Sequence, residues 1–293
     1  MGTPSTEVNI DVELVRSLLQ SQHPDLAHLP IRPAASGWDN ALFCLGERWA
    51  VRLPRRQQGA ALIEKEQTWL PVLAPQLTLP VPLPYRCGQP GSGYPWQWSV
   101  VPWMAGDTAD KETLGDREAK RLAVFLRSLH TPAPTYAPIS PYRGVPLTQR
   151  SALVAEWMAS LNATPDALTP AIYDVWQRAL AAPIATAAKW LHGDLHPHNI
   201  LSKAGVITGV IDWGDLTAGD VATDLAAIWM LFEQGATRDR AFDVYGADAA
   251  THLRAQGWAV FFATILLKTG RVDNPSHAAI GRNTLRRLAS SDA

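Results

Sequence analysis

The sequence predicts an α/β (α+β) fold, with β-patterned segments in its first third and mainly helical patterns after them. Three observations predict it. Short β-patterned runs bounded by turn residues begin at Ile31 and fill the first third of the chain. Amphipathic helical patterns dominate from Glu118 onward, so strands come first and helices later, the order of an α+β protein. At 293 residues and 47% hydrophobic, the chain is long enough for one large domain or two lobes with a sizeable core.

Taken in order, residues 11–22 place Val12, Val15, Leu18 and Leu19 at helical spacing behind Asn9 or Asp11 as a cap. From Ile31 to Leu53 three short strands follow, IRPAAS, NALFCL and RWAVRL, with turns at Gly37-Trp38-Asp39 and Gly46-Glu47. Residues 60–74 read as a helix carrying Leu62, Ile63, Glu66, Trp69, Leu70 and Leu73. A stretch rich in proline and glycine covers 80–91, and Trp98 to Trp103 reads as a buried strand that ends before Gly106. Glu118 to His130 is a helix marked by Leu122, Phe125, Leu126 and Leu129. The five prolines of 131–147 exclude a helix there and indicate a connector. Two amphipathic segments, 151–161 and 171–180, lead to the β-branched run Val206, Ile207, Val210, Ile211, and another helix opens at Asp220 with that residue as its cap. Residues 237–293 alternate helical segments and turns.

Composition removes several function classes. A net charge of −1 gives no broad basic face for nucleic acid. No apolar run approaches the ~20 residues of a membrane helix. The first residues lack the basic-then-apolar pattern of a secretory signal, and two cysteines, Cys44 and Cys87, are too few for a disulfide framework, which suits the cytoplasm. Most of the twelve tryptophans are expected as packing anchors.

The chemistry concentrates between residues 190 and 224. Asp194 stands two residues after His192 and five before Asn199, and Asp212 follows at the end of the β-branched run. Two carboxylates and an amide on one loop and the strand after it suit Mg²⁺, which takes one or two carboxylates together with substrate phosphates. The spacing agrees with the protein-kinase pattern H-R-D-x-x-x-x-N followed by D-F-G, with Gly193 in the arginine position, Trp213 in the phenylalanine position, and no A-P-E after it. The stretches HGDLHPHNIL and VIDWGD together resemble the aminoglycoside phosphotransferase family, small-molecule kinases with a bilobal protein-kinase-like fold.

That resemblance implies a set of roles. Asp194 would orient an acceptor hydroxyl and take its proton, His192 would brace the loop, and Asn199 and Asp212 would hold Mg²⁺ against the phosphates of ATP or GTP. Arg52 would stand where kinases carry a strand lysine, paired with Glu66 across the α- and β-phosphates, although an arginine fork places its charge differently from an ammonium. Both also read as a surface arginine and a solvated glutamate. Val101, Pro102, Trp103 and Met104 would be the hinge that takes the nucleobase edge, or simply the end of a core strand. The turn at Gly37 would cover the phosphates, or be only a hairpin turn. The lobes would be a smaller one built on an antiparallel sheet over 1–103 and a larger, mainly helical one over 104–293, with the nucleotide at their junction, and Asp220 and Asp224 would give structural support.

The acceptor would be a small hydroxylated molecule: an aminoglycoside, a macrolide, choline, homoserine or a sugar. Carboxylates available to a polycation are Glu156, Asp166, Asp174, Glu233, Asp239, Asp243 and Asp248, each equally suited to face solvent. Two rival readings come from other classes. His192, Asp194, His196 and His198 form an H-x-D-x-H-x-H string that could bind zinc in a metallohydrolase, and Arg52 in place of lysine fits a silent kinase-like binding module.

Overall fold

A computed structural model describes residues 4–161, 168–185 and 187–290. They fall into two compact units: one runs through Pro75 and resumes over Pro80–Ala105, and the other takes Gln76–Leu79 and everything from Gly106 onward.

In the first unit, helix α1 (Val12–Gln22) is capped by Asp11, whose carboxylate accepts the Leu14 N–H at 2.9 Å, and it buries Val15, Leu18 and Leu19. Strands β1 (Ile31–Ser36), β2 (Asn40–Leu45) and β3 (Trp49–Pro54) form an antiparallel meander, followed by helix α2 (Gln57–Leu73). Strands β4 (Arg86–Gly88) and β5 (Trp98–Pro102) complete a five-stranded sheet in the order β1-β2-β3-β5-β4. Pro33, which has no N–H to give a ladder, sits on the edge strand beside a bulge. On β2 burial alternates, so Ala41, Phe43 and Leu45 face the core, whereas nearly every residue of the central strand β3 is buried. The core joins these residues to the α1 stripe, Trp98 and Val100. Strand β4 lies inside the proline- and glycine-rich stretch, where its three residues leave no alternation to read.

The second unit opens with β6 (Asp107–Thr108), α3 (Asp116–Leu129), α4 (Ser151–Leu161) and α5 (Pro170–Ala181). Next come β7 (Lys189–Leu191), β8 (Ile200–Lys203), β9 (Val206–Val210) and β10 (Thr217–Gly219). Here β6-β8-β9 make one antiparallel sheet and β7 pairs with β10. Five helices complete the unit: α6 (Ala222–Leu225), α7 (Ala227–Leu231), α8 (Gly235–Tyr245), α9 (Ala249–Gly270) and α10 (Pro275–Ala289). The 22-residue α9 is buried on nearly every face from Arg254 onward, because α4, α5, α6 and α10 all pack on it. The single helix expected from Asp220 is two short ones meeting at Ala226, and the first has Val221 as its cap. Asp220 still accepts the Ala222 N–H at 3.1 Å, and its carboxylate is held by Arg254 at 2.7 Å, tying the start of α6 to α9. Among the described residues no helix is long and apolar enough to cross a membrane.

Candidate active site

The loop from His192 to Asn199 is held from both sides by short, specific contacts. Strand β7 ends at Leu191, and the next two backbone N–H groups, of His192 and Gly193, donate to the two carboxylate oxygens of Asp224 at 2.7 and 2.9 Å. Asp224 is fully buried, so these charge-assisted bonds replace its lost water. A third donor comes from His130 Nε2 at 3.2 Å, while the other nitrogen of that ring meets the Tyr245 hydroxyl at 2.8 Å. His130 is thus both the C-cap of α3 and a member of the loop's support. Gly193 has φ +86°, and a Cβ there would lie 2.4 Å from the Asp215 carbonyl oxygen. No side chain fits, which explains why glycine stands where protein kinases carry arginine.

The far end of the loop is joined to the strand that carries Asp212. The Ile211 N–H donates to the Asn199 carbonyl at 2.9 Å, and His192 Nε2 donates to the Ile211 carbonyl at 2.9 Å. Because a carbonyl only accepts, the His192 hydrogen is on Nε2, and its Nδ1 accepts from the Asp194 N–H at 3.3 Å. Trp213 is fully buried between His192 and Phe125, with its indole N–H on the Val210 carbonyl at 3.0 Å. Asp212 itself is exposed and in the left-handed conformation, φ 63° and ψ 67°.

Asn199 donates its amide hydrogens to the Asp194 carbonyl at 2.8 Å, with Asp194 Oδ2 further off at 3.4 Å. The Asn199 side-chain oxygen Oδ1 and the exposed Asp212 carboxylate are both hard oxygen donors, the type that could hold Mg²⁺. Asp194 Oδ1 receives Arg143 Nη2 at 2.8 Å, and Oδ2 has His196 Nε2 at 3.4 Å. Burial pushes the Asp194 carboxyl up, but Arg143, then His196, outweigh it and hold the group well below the usual carboxylate range. Arg143 lies in the proline-rich connector, where no spacing pattern marks it.

The zinc-like string is engaged otherwise. His198 Nε2 contacts Ser276 Oγ at 2.9 Å and Asp110 at 3.2 Å, and its Nδ1 meets His277 Nε2 at 3.0 Å. Both ring nitrogens of His192 are taken up by the Ile211 carbonyl and the Asp194 N–H. Among the described residues no three His, Cys, Asp or Glu side chains gather as a metal-ligand set.

In the first unit Arg52 Nη1 meets both oxygens of Glu66, at 2.5 and 2.7 Å. With Arg52 8% and Glu66 0% exposed, the surface reading of this pair does not hold. Val101 is buried and Trp103 exposed, and the Trp103 N–H is already donated to the Arg48 carbonyl at 2.8 Å. Among the described residues, the carboxylates available to a polycation are paired or exposed. Glu156 faces Lys268 at 3.5 Å, Glu233 is bound by Arg286 and Arg287, Asp248 caps α9, and Asp174, Asp239 and Asp243 are exposed. Asp166 lies outside the described residues.

This bilobal arrangement of a small antiparallel sheet and a helical region is the aminoglycoside phosphotransferase kind of kinase-like fold. The chain matches the model of the APH phosphotransferase enzyme family over residues 30–259, and it belongs to that family. It is 24% identical over 210 residues to the uncharacterized protein YcbJ of Bacillus subtilis (strain 168), a match spanning 66% of each chain. Among solved structures it resembles the GDP complex of wild-type aminoglycoside 2'-phosphotransferase-IIIa, with a TM-score of 0.69 and 19% identity over 97% of this chain and 100% of that one. It also resembles the macrolide 2'-phosphotransferase MphH from Brachybacterium faecium, with a TM-score of 0.61 and 19% identity over 96% and 98%. These structural likenesses establish the fold.

The histidine cluster beside the loop makes stability depend on pH. His277 is pushed down from 6.5 to about 4, first by burial and then by repulsion from His198 and His196. Between those values the unfolded chain binds more protons than the folded one, so stability falls as the pH drops from about 6.5 through about 4. Thermal melts at pH 7 and pH 5 should show a lower Tm at pH 5, and His277→Asn should remove part of that difference. An unchanged difference in the variant would assign it to other groups, such as the half-buried His252, which is shifted the same way.

Proposed function

We propose that the protein is a small-molecule kinase that moves the γ-phosphate of ATP or GTP to a hydroxyl of a small acceptor, with Mg²⁺ as cofactor. The observation that carries this reading is the tie between Asn199 and Asp194, because it puts a proton acceptor and a cation ligand on one braced loop. The bond from the Ile211 N–H to the Asn199 carbonyl, one residue before Asp212, supports including Asp212 in this reading. In this reading Asp194 orients the acceptor hydroxyl and takes its proton as the phosphoryl group is transferred, and His192 holds the loop against the Asp212 strand. Asn199 Oδ1 and the Asp212 carboxylate hold Mg²⁺, which when bound neutralises phosphate charge. Phosphoryl transfer passes through a loose transition state, so placing such groups supplies most of what the protein contributes.

Arg52 and Glu66 support the nucleotide part of the reading. Arg52 takes the position of the usual lysine as half of a buried pair, with Nη1 meeting both Glu66 oxygens, so its charge does not face water. The nucleobase edge falls to the segment Val101, Pro102, Trp103 and Met104, without the Trp103 N–H, which Arg48 already takes.

The acceptor class follows the family and its neighbours, whose solved complexes include kanamycin, gentamicin and streptomycin, with macrolide phosphotransferases among them. Aminoglycoside- and macrolide-type alcohols therefore head the panel, followed by choline, homoserine and sugars. Because the carboxylates are dispersed or already paired, the fold offers no gathered acidic wall for a polycation among the described residues.

Asp194→Ala should lower turnover on this panel by about 10²- to 10⁴-fold, the range for losing a positioned base, with nucleotide affinity nearly unchanged. Asp212→Ala should instead abolish the Mg²⁺-dependent part of nucleotide binding, read by titration calorimetry with and without chelator. Full turnover in the first variant, or Mg²⁺-dependent binding kept in the second, would overturn the roles assigned.

A further inference from the structure

We infer that Arg143 is a positioning residue for Asp194, its guanidinium pinning one carboxylate oxygen so that the other is presented to the acceptor hydroxyl. The inference rests on the reading of Asp194 as the base and adds a residue that no motif contains.

The two oxygens of Asp194 are held unequally. Oδ1 has Arg143 Nη2 at 2.8 Å, a normal charge-assisted bond. Among the described residues Oδ2 has His196 Nε2 and Asn199 Nδ2, both at 3.4 Å and too long to hold it firmly. Oδ2 is thus the oxygen left to receive a proton. The pair is also partly shielded, with side chains 15% and 23% exposed, so it is stronger and better fixed than a surface ion pair.

The guanidinium cannot easily swing away. Its central carbon lies 5.0 Å from the Phe262 ring and 5.4 Å from the Phe261 ring, both on the buried helix α9, and cations are attracted to such faces.

Its backbone is fastened as well. Ser140 Oγ accepts from the N–H groups of Tyr142 and Arg143 at 3.1 Å each. The Ser140 N–H donates to Thr217 Oγ1 at 2.8 Å, and the Ala218 N–H donates to the Pro138 carbonyl at 2.8 Å. On the other side, the Gly144 N–H donates to Thr223 Oγ1 at 3.1 Å, and the Asp220 N–H donates to the Gly144 carbonyl at 2.9 Å. Gly144 has φ +69° and crosses Gly219 so closely that a Cβ would lie 2.9 Å from the Gly219 Cα. The strap 138–144 is therefore nailed along β10, and β10 pairs with β7, which leads directly into His192. One small ladder places both Arg143 and Asp194.

The test uses hydrolysis of Mg²⁺-ATP and Mg²⁺-GTP, with water as acceptor, in the full chain and in Arg143→Ala, Arg143→Lys, Ser140→Ala and Asp194→Ala. Arg143→Ala should lower kcat by up to about 10²-fold, the cost of about an ångström of misplacement, while the nucleotide KM stays within about twofold. Added guanidinium chloride at non-denaturing concentration should restore part of that kcat. Arg143→Lys should recover little, because an ammonium lacks the planar guanidinium that sits beside Phe261 and Phe262, and Ser140→Ala, which keeps the arginine and loosens its strap, should fall in between. Wild-type kcat in Arg143→Ala beside an inactive Asp194→Ala would overturn this inference and leave the base standing. Wild-type kcat in Asp194→Ala would overturn the base reading itself. A loss in Arg143→Ala that follows a lowered Tm and is not relieved by guanidinium would reduce Arg143 to a structural residue.

Discussion

A single buried carboxylate, that of Asp224, fixes the geometry on which the candidate site depends. At 0% exposure it has no water to offset its charge, and it accepts instead from the N–H groups of His192 and Gly193 and from His130 Nε2. The torsions of His192 bring these two successive N–H groups to one carboxylate, and the positive φ of Gly193 turns the chain immediately after them. The path of the chain beyond Gly193 is thereby set. Asp194 leaves the turn in one direction, with its own N–H on His192 Nδ1.

From that turn the constraints spread in two directions. Along the chain, Asn199 closes the loop onto the Asp194 carbonyl and passes register to Ile211, and hence to Asp212. Trp213 fills the space under this junction, a larger ring than phenylalanine yet buried completely against Phe125. Across the chain, β10 joins β7 to the strap 138–144, so a proline-rich segment with no regular structure is still held by hydrogen bonds at Pro138, Ser140, Arg143 and Gly144. The Arg143 side chain is held against α9, by Phe261 and Phe262.

The features legible in the sequence are those that short-range pattern encodes. The spacing of Asp194, Asn199 and Asp212 reads directly, because those residues lie on one loop and the hairpin after it. Helical periodicity located α1, α3, α4 and α5 within a few residues. Arg143 was illegible because its partner is 51 residues away and its neighbours are prolines, so no period or motif surrounds it. The role of Gly193 was visible only as a departure from the kinase pattern, and its cause, the Asp215 carbonyl, lies across the fold. Burial decided Arg52 and Glu66, since a strand arginine and a helix glutamate read the same in sequence whether they meet in the core or face water. Strand β4 and the break between α6 and α7 were hidden by length, as elements of three to five residues are too short to show a clear period.

The most direct test of this account is hydrogen–deuterium exchange at the His192 and Gly193 amides, comparing the wild-type chain with Asp224→Asn. The amide isostere keeps the shape and offers one acceptor oxygen in place of two charged ones, so one N–H must lose its partner. The account predicts exchange across 190–199 faster by about tenfold or more, given the ~1.4 kcal/mol or more expected for a hydrogen bond to a charged group, with protection in α9 unchanged. Unaltered protection of both amides would contradict the central claim that this carboxylate sets the loop.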